Sequence, residues 1–187
     1  IKIDQIDKLI EKKQKKIKLL NELKNSYLEQ CFTKGLELNF YKKDNKSDQT
    51  NKIPEHWKKI PLKYISYIKG RVGWKGLKQD EFLDSGEYFL ITGHDIKNDK
   101  MNWTNCYHIS KERYEESPEI NLQIGDLLFT KDGTIGKTLF IDHLPKPSSL
   151  NSHLLLIRPN KKIYLSKFLQ YLFKTQKFLN YVQEKKT

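Results

Sequence analysis

The chain has little of the chemistry that marks disulfide-bonded, zinc-binding or membrane-spanning proteins. Its 187 residues include two cysteines, Cys31 and Cys106, which lie far apart and outside any CxxC pair. This spacing argues against a disulfide framework or a zinc site and favours a reducing compartment. No apolar run is long enough to span a bilayer, and no signal-peptide or lipidation motif is found. We therefore expect a globular protein of the cytoplasm.

Acidic side chains are outnumbered by basic ones. The chain has 35 Lys and Arg residues against 23 Asp and Glu residues, which gives a formal net charge of +12 and a pI near 9.5. Such a surplus attracts polyanions, of which nucleic acid is the commonest. An anionic membrane surface is the competing partner, and the mean hydropathy of −0.74 favours a protein that works in water.

Motifs for three kinds of nucleotide or DNA chemistry are missing. Gly136, Lys137 and Thr138 end like a phosphate-binding P-loop, but Lys131 stands where its first glycine belongs, and a strand is predicted where its helix belongs. An amino-methyltransferase needs a tetrapeptide of the NPPY type and a glycine-rich cofactor loop, and neither occurs. Asp126 lacks the second acidic residue that a nuclease places two positions before its lysine, so no metal site is predicted.

Residues 125–142, GDLLFTKDGTIGKTLFID, carry the clearest local signal. Two short apolar runs flank the segment KDGTIGK, a pattern that predicts strand, turn and strand. Gly133 and Gly136 allow positive φ, so the turn can be tight and its amides can point outward. Lysines, a threonine and bare backbone at an exposed turn suit phosphates or base edges. A stable hairpin with a merely solvated turn is the alternative.

Residues 1–33 contain neither proline nor glycine and predict one long helix that ends with Gly35 as its C′ residue. Its length would be about 45 Å. A heptad repeat that starts at Ile3 predicts a coiled-coil seam. The seam residues are Ile3, Ile6, Ile10, Ile17, Leu20 and Tyr27. We interpret residues 1–35 as a spacer helix; a helix packed on its own domain is the alternative.

The rest of the chain predicts a linker and one globular domain. Residues 36–52 are polar and lack an apolar period, as in a solvated linker. Strands are predicted at 63–69, 87–92, 102–110, 126–130, 138–141 and 153–158, and a short helix near 111–116. Apolar residues at helical spacing predict one closing helix over 165–183 with Ser166 as its N-cap. The predicted fold class is α+β, a long coiled-coil-type helix followed by a mixed α/β domain at 53–187.

Taken together, these segments resemble the specificity (S) subunit of type I restriction–modification enzymes. YLEQCFTKGL at 27–36 resembles the end of that family's spacer helix. IPEHWKKIPLKYI at 53–65 resembles the entry into a target recognition domain, with matching kinds of residue at Pro54, His56, Trp57 and Leu62.

Later segments resemble further landmarks of such a domain in the same order. These are residues 70–76, 89–96 (FLITGHDI), 125–136 and the closing helix at 165–182. No single segment is specific for this family, but the order and spacing of the segments together are specific. The family runs recognition domain, helix, recognition domain, helix. The resemblance implies that this chain holds the first helix and the second recognition domain, and its start at Ile1 rather than Met also suggests a fragment.

The resemblance implies a DNA-recognition subunit and not an enzyme. In that family catalysis belongs to separate modification and restriction subunits, which use S-adenosylmethionine, ATP and Mg, so no cofactor is expected in this chain. The implied partners are double-stranded DNA, methyltransferase subunits, a restriction subunit, and either the second helix of the S subunit or another copy of this chain. The implied location is the cytoplasm of a bacterium or archaeon.

Ten residues in three polar loops are the predicted DNA-contacting set. Lysines and Arg71 would meet phosphates, and a few other side chains would reach base edges. The set is Arg71, Trp74, Lys75, Lys78, Lys131, Thr134, Lys137, Ser149, Asn151 and His153. Two other hypotheses stay open: a fragment of a nuclease or methyltransferase with its own activity, and an interaction protein whose basic charge is incidental.

Overall fold

The structure, a computed structural model, describes residues 2–35 and 57–185, without the side chains of Lys2, Thr33, Lys34 and Trp74. The predicted linker at 36–52, Pro54 and His56 lie outside these residues. The helices are α1 (Lys2–Lys34), α2 (Leu62–Ile65), α3 (Lys111–Glu115), α4 (Ser166–Leu172) and α5 (Gln176–Glu184). The strands are β1 (Ser66–Gly70), β2 (Tyr88–Ile91), β3 (Ile96–Lys97), β4 (Lys100–Met101), β5 (Tyr107–Ile109), β6 (Leu127–Thr130), β7 (Thr138–Phe140), β8 (Ser148–Leu150) and β9 (Leu154–Pro159). The α+β fold class is confirmed.

The long N-terminal helix is confirmed together with its predicted end. α1 runs for 33 residues, or about 50 Å. Gly35 follows it with φ of +77° and donates its N–H to the Cys31 carbonyl at 3.2 Å, as a C′ glycine does. No helix among the described residues is both long enough and apolar enough to cross a membrane.

The chain divides into two compact units, residues 1–59 with 174–187 and residues 60–173. Within the first unit, the Glu29 carboxylate accepts hydrogen bonds from the backbone N–H groups of Gln176 and Lys177. Both N–H groups lie in the first turn of α5, where backbone donors have no partner within the helix and a carboxylate is favourable. α5 therefore packs on α1 within the first unit.

The single closing helix predicted over 165–183 is wrong, because the structure breaks it into α4 and α5. Thr175 takes an extended conformation between them, and its hydroxyl accepts from the Phe178 N–H at 3.3 Å. Threonine at this position caps a new helix instead of continuing the old one. Ser166 is not a cap: Leu165 precedes α4, and the Ser166 hydroxyl donates to the Gly125 carbonyl.

The globular unit, residues 60–173, contains a four-stranded antiparallel sheet in the order β1-β9-β6-β7 and a three-stranded sheet in the order β5-β2-β8. β2 and β8 run parallel, with Ile91 opposite Leu150. The strands predicted at 87–92, 126–130, 138–141 and 153–158 are confirmed within one or two residues. One apolar core joins the two sheets, and its fully buried residues include Ile91, Leu128, Leu150, Leu154 and Leu156.

Three strand predictions need correction. The strand expected at 63–69 starts later, since Leu62–Ile65 form the short helix α2. The strand expected at 102–110 is confined to β5, because Trp103–Asn105 form a 3-10 turn. β8, with the sequence Ser-Ser-Leu, was expected to be a polar loop. It forms a buried strand because the serine hydroxyls find partners inside the unit.

A buried ion pair joins β9 to the segment that leads into β6. Arg158 donates from Nε to Asp126 Oδ1 at 2.7 Å and from Nη2 to Oδ2 at 2.8 Å. The same guanidinium reaches the Asn121 carbonyl, and the Gln123 N–H also donates to the carboxylate. Asp126 is 1% exposed. The hydrogen bond with Asp126 raises the pKa of Arg158, and each partner of the pair has a further hydrogen bond inside the unit.

Replacing Arg158 with methionine should therefore destabilise the globular unit strongly. Arg158→Met leaves the Asp126 charge buried without its partner, which costs about 3–5 kcal/mol. Urea unfolding of the full chain measures the loss, with the exposed Lys162→Met as a control for removing one cation. A loss below about 1 kcal/mol, the range of surface ion pairs, would contradict the structural role of the pair.

Candidate nucleic-acid interface

Three loops of the globular unit emerge at the same edge because of how the strands pair. β2 and β8 are parallel neighbours and end together at Ile91 and Leu150. β6 ends at Thr130, opposite Leu154, where its antiparallel partner β9 begins. The loops at 92–95, 131–137 and 151–153 therefore start from adjacent positions, and we call them together the loop cluster.

Direct contacts tie the three loops to one another. The Lys131 N–H donates to the His153 carbonyl at 3.0 Å, which joins the second loop to the third. The Lys137 ammonium donates to the Gly93 carbonyl at 3.3 Å, which joins the second loop to the first. A Cβ atom on Gly93 would lie 3.5 Å from the Thr130 methyl carbon, so the first loop passes directly over β6.

The β6–β7 hairpin is confirmed, and its turn is held from inside by Thr130. The strands pair from Leu127 opposite Phe140 to Phe129 opposite Thr138. The buried Thr130 hydroxyl donates to the Thr134 carbonyl at 2.5 Å and accepts from the Lys137 N–H at 3.0 Å. Gly133 and Gly136 have φ of +68° and +96°, the left-handed region predicted for them.

The hairpin turn presents a carboxylate as well as cations. Asp132 accepts from the Lys131 ammonium at 2.9 Å, and its Oδ2 lies 3.4 Å from His153 Nδ1. The hydrogen bond from Lys131 is the main cause that lowers the pKa of Asp132. Desolvation opposes this shift, and the charge of Lys131 and the neighbouring His153 lower the pKa further. Asp132 is therefore ionised at neutral pH. All three side chains are exposed, so they are accessible to a ligand.

The first loop is stabilised by a buried carboxylate beneath its surface. Asp95, 6% exposed, accepts from the Thr92 N–H at 2.8 Å and from the Thr92 hydroxyl at 2.9 Å. Burial raises the pKa of Asp95, and the hydrogen bonds from Thr92 oppose that shift. These bonds hold the turn that carries Gly93 and the exposed His94 against β6.

Arg71 and Ser149, two members of the predicted DNA-contacting set, are buried inside the globular unit. Arg71 is 5% exposed, and it donates from Nε to the Leu150 carbonyl at 2.8 Å and from Nη2 to the Ser149 hydroxyl at 3.1 Å. Ser149 is fully buried. Burial lowers the pKa of Arg71. A guanidinium whose donors are used inside the unit is not available to phosphates, so Arg71 anchors the end of β8.

Asn151, another member of the predicted set, is likewise buried. Its backbone N–H donates to the Ile91 carbonyl at 3.0 Å, and its side-chain oxygen accepts from the His153 N–H at 3.1 Å. These bonds shape a tight turn that leaves the His153 side chain 61% exposed. Of the three candidates in this loop, His153 alone is placed to contact a ligand.

The predicted candidates at 74–78 lie in a different environment. The Lys75 ammonium donates to the Glu116 carbonyl at 2.6 Å, at the end of α3. Lys78 is exposed, and its backbone N–H donates to the Glu81 carboxylate at 2.7 Å. The Trp74 side chain lies outside the described atoms. The contacts above thus bring together Lys131, Thr134, Lys137 and His153 from the predicted set.

Two members of the loop cluster were missed by the sequence analysis, His94 and Asp132. His94 is exposed in the first loop, and Asp132 is exposed in the second. The position of Asp132 in the turn beside Lys131 and Gly133 indicates its exposure in the sequence, because a polar residue next to a turn glycine projects outward.

The excess of positive charge lies mostly outside the globular unit. Residues 60–173 contain 16 Lys and Arg residues against 13 Asp and Glu residues, whereas the remaining residues contain 19 against 10. Among the described residues, no group of three or more His, Cys, Asp or Glu side chains is arranged to hold a metal ion. The loop cluster is thus a mixed polar surface with few cations and both hydrogen-bond donors and acceptors.

Comparison with known proteins gives concordant matches. A family model described as type I restriction modification DNA specificity domain matches residues 54–186. A Methanocaldococcus jannaschii protein named "Putative type I restriction enzyme MjaX specificity subunit" is 29% identical over 155 residues, which are 79% of this chain and 36% of that protein. The type I restriction enzyme MjaVIII specificity subunit of the same organism is 27% identical over 126 residues, 67% of this chain and 28% of that protein.

The chain spans about a third of the length of the curated relatives it matches. A solved structure from work on complex assembly and conformational transition of the type I R-M system has a similar fold, with a TM-score of 0.51 at 14% identity. The match covers 95% of this chain and 40% of that chain.

Replacing Thr130 with valine should loosen the hairpin turn without disturbing the sheet. Thr130→Val keeps the shape of the side chain but removes both hydroxyl hydrogen bonds, at a cost of about 1 kcal/mol each. Hydrogen exchange at the Lys137 amide should then be faster by a factor of about five to ten. Thr134→Val, on an exposed residue, is the control. Unchanged protection at Lys137 in Thr130→Val would show that the hydroxyl does not hold the turn.

Proposed function

Because the chain belongs to the family of type I restriction–modification DNA specificity domains, we propose that residues 60–173 read one half-site of a bipartite DNA sequence through the loop cluster. The observation that carries this proposal is the convergence of three loops from the aligned ends of β2, β6 and β8. Rigid strands below exposed loops are the arrangement in which binding residues are commonly found. The family match over residues 54–186 supports the choice of DNA as the ligand.

The chemistry of the exposed side chains suits base edges better than phosphates alone. Lysine donates to the O6 and N7 acceptors of guanine, and aspartate accepts from the amino group of cytosine in the major groove. Lys131 and Asp132 lie side by side in the turn, with the His153 ring against Asp132. A surface meant only for phosphates would gain nothing from Asp132, because its charge repels them.

The buried polar residues act by positioning the readers. Arg71 holds the end of β8, Asn151 shapes the turn before His153, and Thr130 holds the turn that contains Lys131 and Asp132. Lys137 is half-buried and bridges to Gly93, so it contributes to the arrangement of the loops as well as to the local charge. A preorganised surface loses less conformational entropy on binding.

We place catalysis in partner subunits. The two curated relatives are named as specificity subunits of type I restriction enzymes, which supports a DNA-recognition role for this chain and gives no support to a nuclease or methyltransferase fragment. In this proposal methyltransferase subunits, which use S-adenosylmethionine, and a restriction subunit, which uses ATP and Mg, assemble on the S subunit in the cytoplasm. DNA methylation and cleavage then occur at the sequence that the S subunit selects.

The seam of α1 is the proposed docking surface for a second helix. Its residues Ile6, Ile10, Ile17 and Leu20 are 49–59% exposed in the single chain. Apolar side chains at heptad spacing in water indicate a missing helical partner. The occupant is the second helix of the S subunit or α1 of another copy of this chain.

Replacing Asp132 with alanine should relax sequence preference at one position of the half-site. Selection of the full chain, with its partner subunits, on a randomised duplex library gives the preference, and sequencing gives its position. We expect a loss of discrimination of about 1–3 kcal/mol at one base pair. Asp80→Ala removes the same charge from an exposed site outside the loop cluster and should keep the wild-type preference. Identical preferences for wild type and Asp132→Ala would exclude Asp132 as a reader.

Replacing two isoleucines of the seam with lysine should abolish self-association. If copies of the chain pair through α1, light scattering gives at least twice the 22.3 kDa mass of one chain, and Ile10→Lys with Ile17→Lys returns it to the monomer mass. Glu22→Gln with Asn25→Lys adds the same charge away from the seam and should leave the larger mass. A wild-type chain that is monomeric at every concentration, and that binds no second S-subunit helix, would contradict the docking role of the seam.

A further inference from the structure

The distribution of charge along the chain suggests a DNA-binding element outside the loop cluster. The globular unit has an excess of three positive charges, from 16 basic against 13 acidic residues, out of +12 for the chain. Its reading turn also contains Asp132, which cancels one cation. In specific protein–DNA complexes the electrostatic contact with phosphates supplies much of the affinity. Nine of the twelve net positive charges lie in the other parts of the chain, from 19 basic against 10 acidic residues.

The densest group of cations lies in the middle of α1. Five of the seven residues at 12–18, KKQKKIK, are lysines, and no acidic residue occurs between Glu11 and Glu22. We call these five the lysine segment: Lys12, Lys13, Lys15, Lys16 and Lys18. All five are exposed. Among the ion pairs found in the described residues, none joins these lysines to a carboxylate.

The lysine segment is unfavourable for the helix by itself. Lys12 and Lys16 are four residues apart, and Lys15 is three residues from both Lys12 and Lys18. Like charges at these spacings are neighbours on the helix surface and destabilise it. An anionic ligand removes this repulsion, so the segment gains stability from a negatively charged partner that an ordinary solvated helix would not need.

Part of the lysine segment remains accessible when the seam is occupied. Lys8, Lys12 and Lys15 follow one another at spacings of four and three residues and so form one row along the helix. In the heptad that starts at Ile3 they occupy outer positions, away from the a and d residues. Lys13 is the one member of the segment at a seam position. A partner helix on the seam therefore leaves this row facing solvent.

We propose that the lysine segment of α1 is a second DNA-binding site, which contacts the phosphate backbone of the duplex without reading its sequence. This inference rests on the proposed function, because it concerns the same duplex. The segment is about 10 Å long, which corresponds to about three base pairs at 3.4 Å each. Lysine ammonium groups on flexible stems bind phosphates as point charges and need no fixed geometry.

Duplex DNA is a better match than an acidic protein surface. DNA carries a charge about every 1.7 Å of its axis, a density comparable to five lysines within about 10 Å of helix. An acidic protein face would more commonly be met by both signs of charge, as at interface rims. In α1 the carboxylates Asp4, Asp7, Glu11, Glu22 and Glu29 all lie outside the segment, so its side-chain charges have one sign only.

The test is a salt series with a charge-matched control. The variant Lys12→Gln, Lys15→Gln, Lys16→Gln removes three cations from the segment and keeps helix propensity, since glutamine and lysine are similar helix formers. The control Lys111→Gln, Lys161→Gln, Lys162→Gln removes three exposed cations that follow β5 and β9, at the ends of those strands away from the loop cluster. Affinity of each full chain for a duplex of random sequence is measured from low to moderate salt.

We expect the helix variant to lower the slope of log affinity against log salt by about 2–3, because each phosphate contact contributes about 0.9. The control should leave the slope close to that of wild type. Far-ultraviolet circular dichroism confirms that the helix variant keeps its helix. In a library selection, the helix variant should bind more weakly than wild type with the same sequence preference.

Two outcomes overturn the proposal. A helix variant with the wild-type slope shows that the segment does not meet DNA and leaves an acidic protein partner as its occupant. Equal changes in the helix variant and the control show that net charge alone is responsible. Failure of the proposed function has a different signature: the wild-type complex would then show no sequence preference in the library, whatever the salt slopes are.

Discussion

Backbone pairing between β2 and β8 determines where the candidate interface can form. Because the two strands are parallel, they end at the same edge, at Ile91 and Leu150. The antiparallel pairing of β6 with β9 brings Thr130 and Leu154 to that edge as well. Each loop in the cluster then begins on a strand buried in the common core, so movement of one loop is limited by the other two. The exposed side chains are few, but rigid strands position them.

Buried polar groups connect this edge to the rest of the globular unit. Arg71 joins the end of β1 to the end of β8, and the Asp126–Arg158 pair joins β9 to the approach to β6. A guanidinium suits both positions since its donors lie in a rigid planar fork, whereas the ammonium of lysine is a point charge on a flexible stem. The structure uses Arg71 and Arg158 inside the unit, while lysines cover the surface. In the proposed function, specificity then depends in part on buried residues that do not contact the DNA.

In our proposals, the two units contribute differently to DNA binding. The globular unit carries both signs of charge at its reading edge, which favours discrimination between bases over raw attraction. α1 combines an exposed apolar seam with the lysine segment, so one helix carries the proposed docking surface and the proposed phosphate-binding row on different faces. When base discrimination and attraction to phosphates come from different units, weak, selective contacts in the loops are supported by strong, unselective contacts elsewhere.

Local signals in the sequence were sufficient for α1, for its end at Gly35 and for the β6–β7 hairpin with its two positive-φ glycines. Helix periodicity, strand alternation and glycine conformation are properties of a few neighbouring residues, which is why these elements were predictable. Tertiary structure determined that Arg71, Ser149 and Asn151 are buried. Arg71 is an attractive phosphate ligand in the sequence, but its acceptors lie 79 residues away at Leu150 and 46 residues away at Ser117. Whether a polar side chain meets solvent or the core depends on such distant partners, and no local pattern contains them.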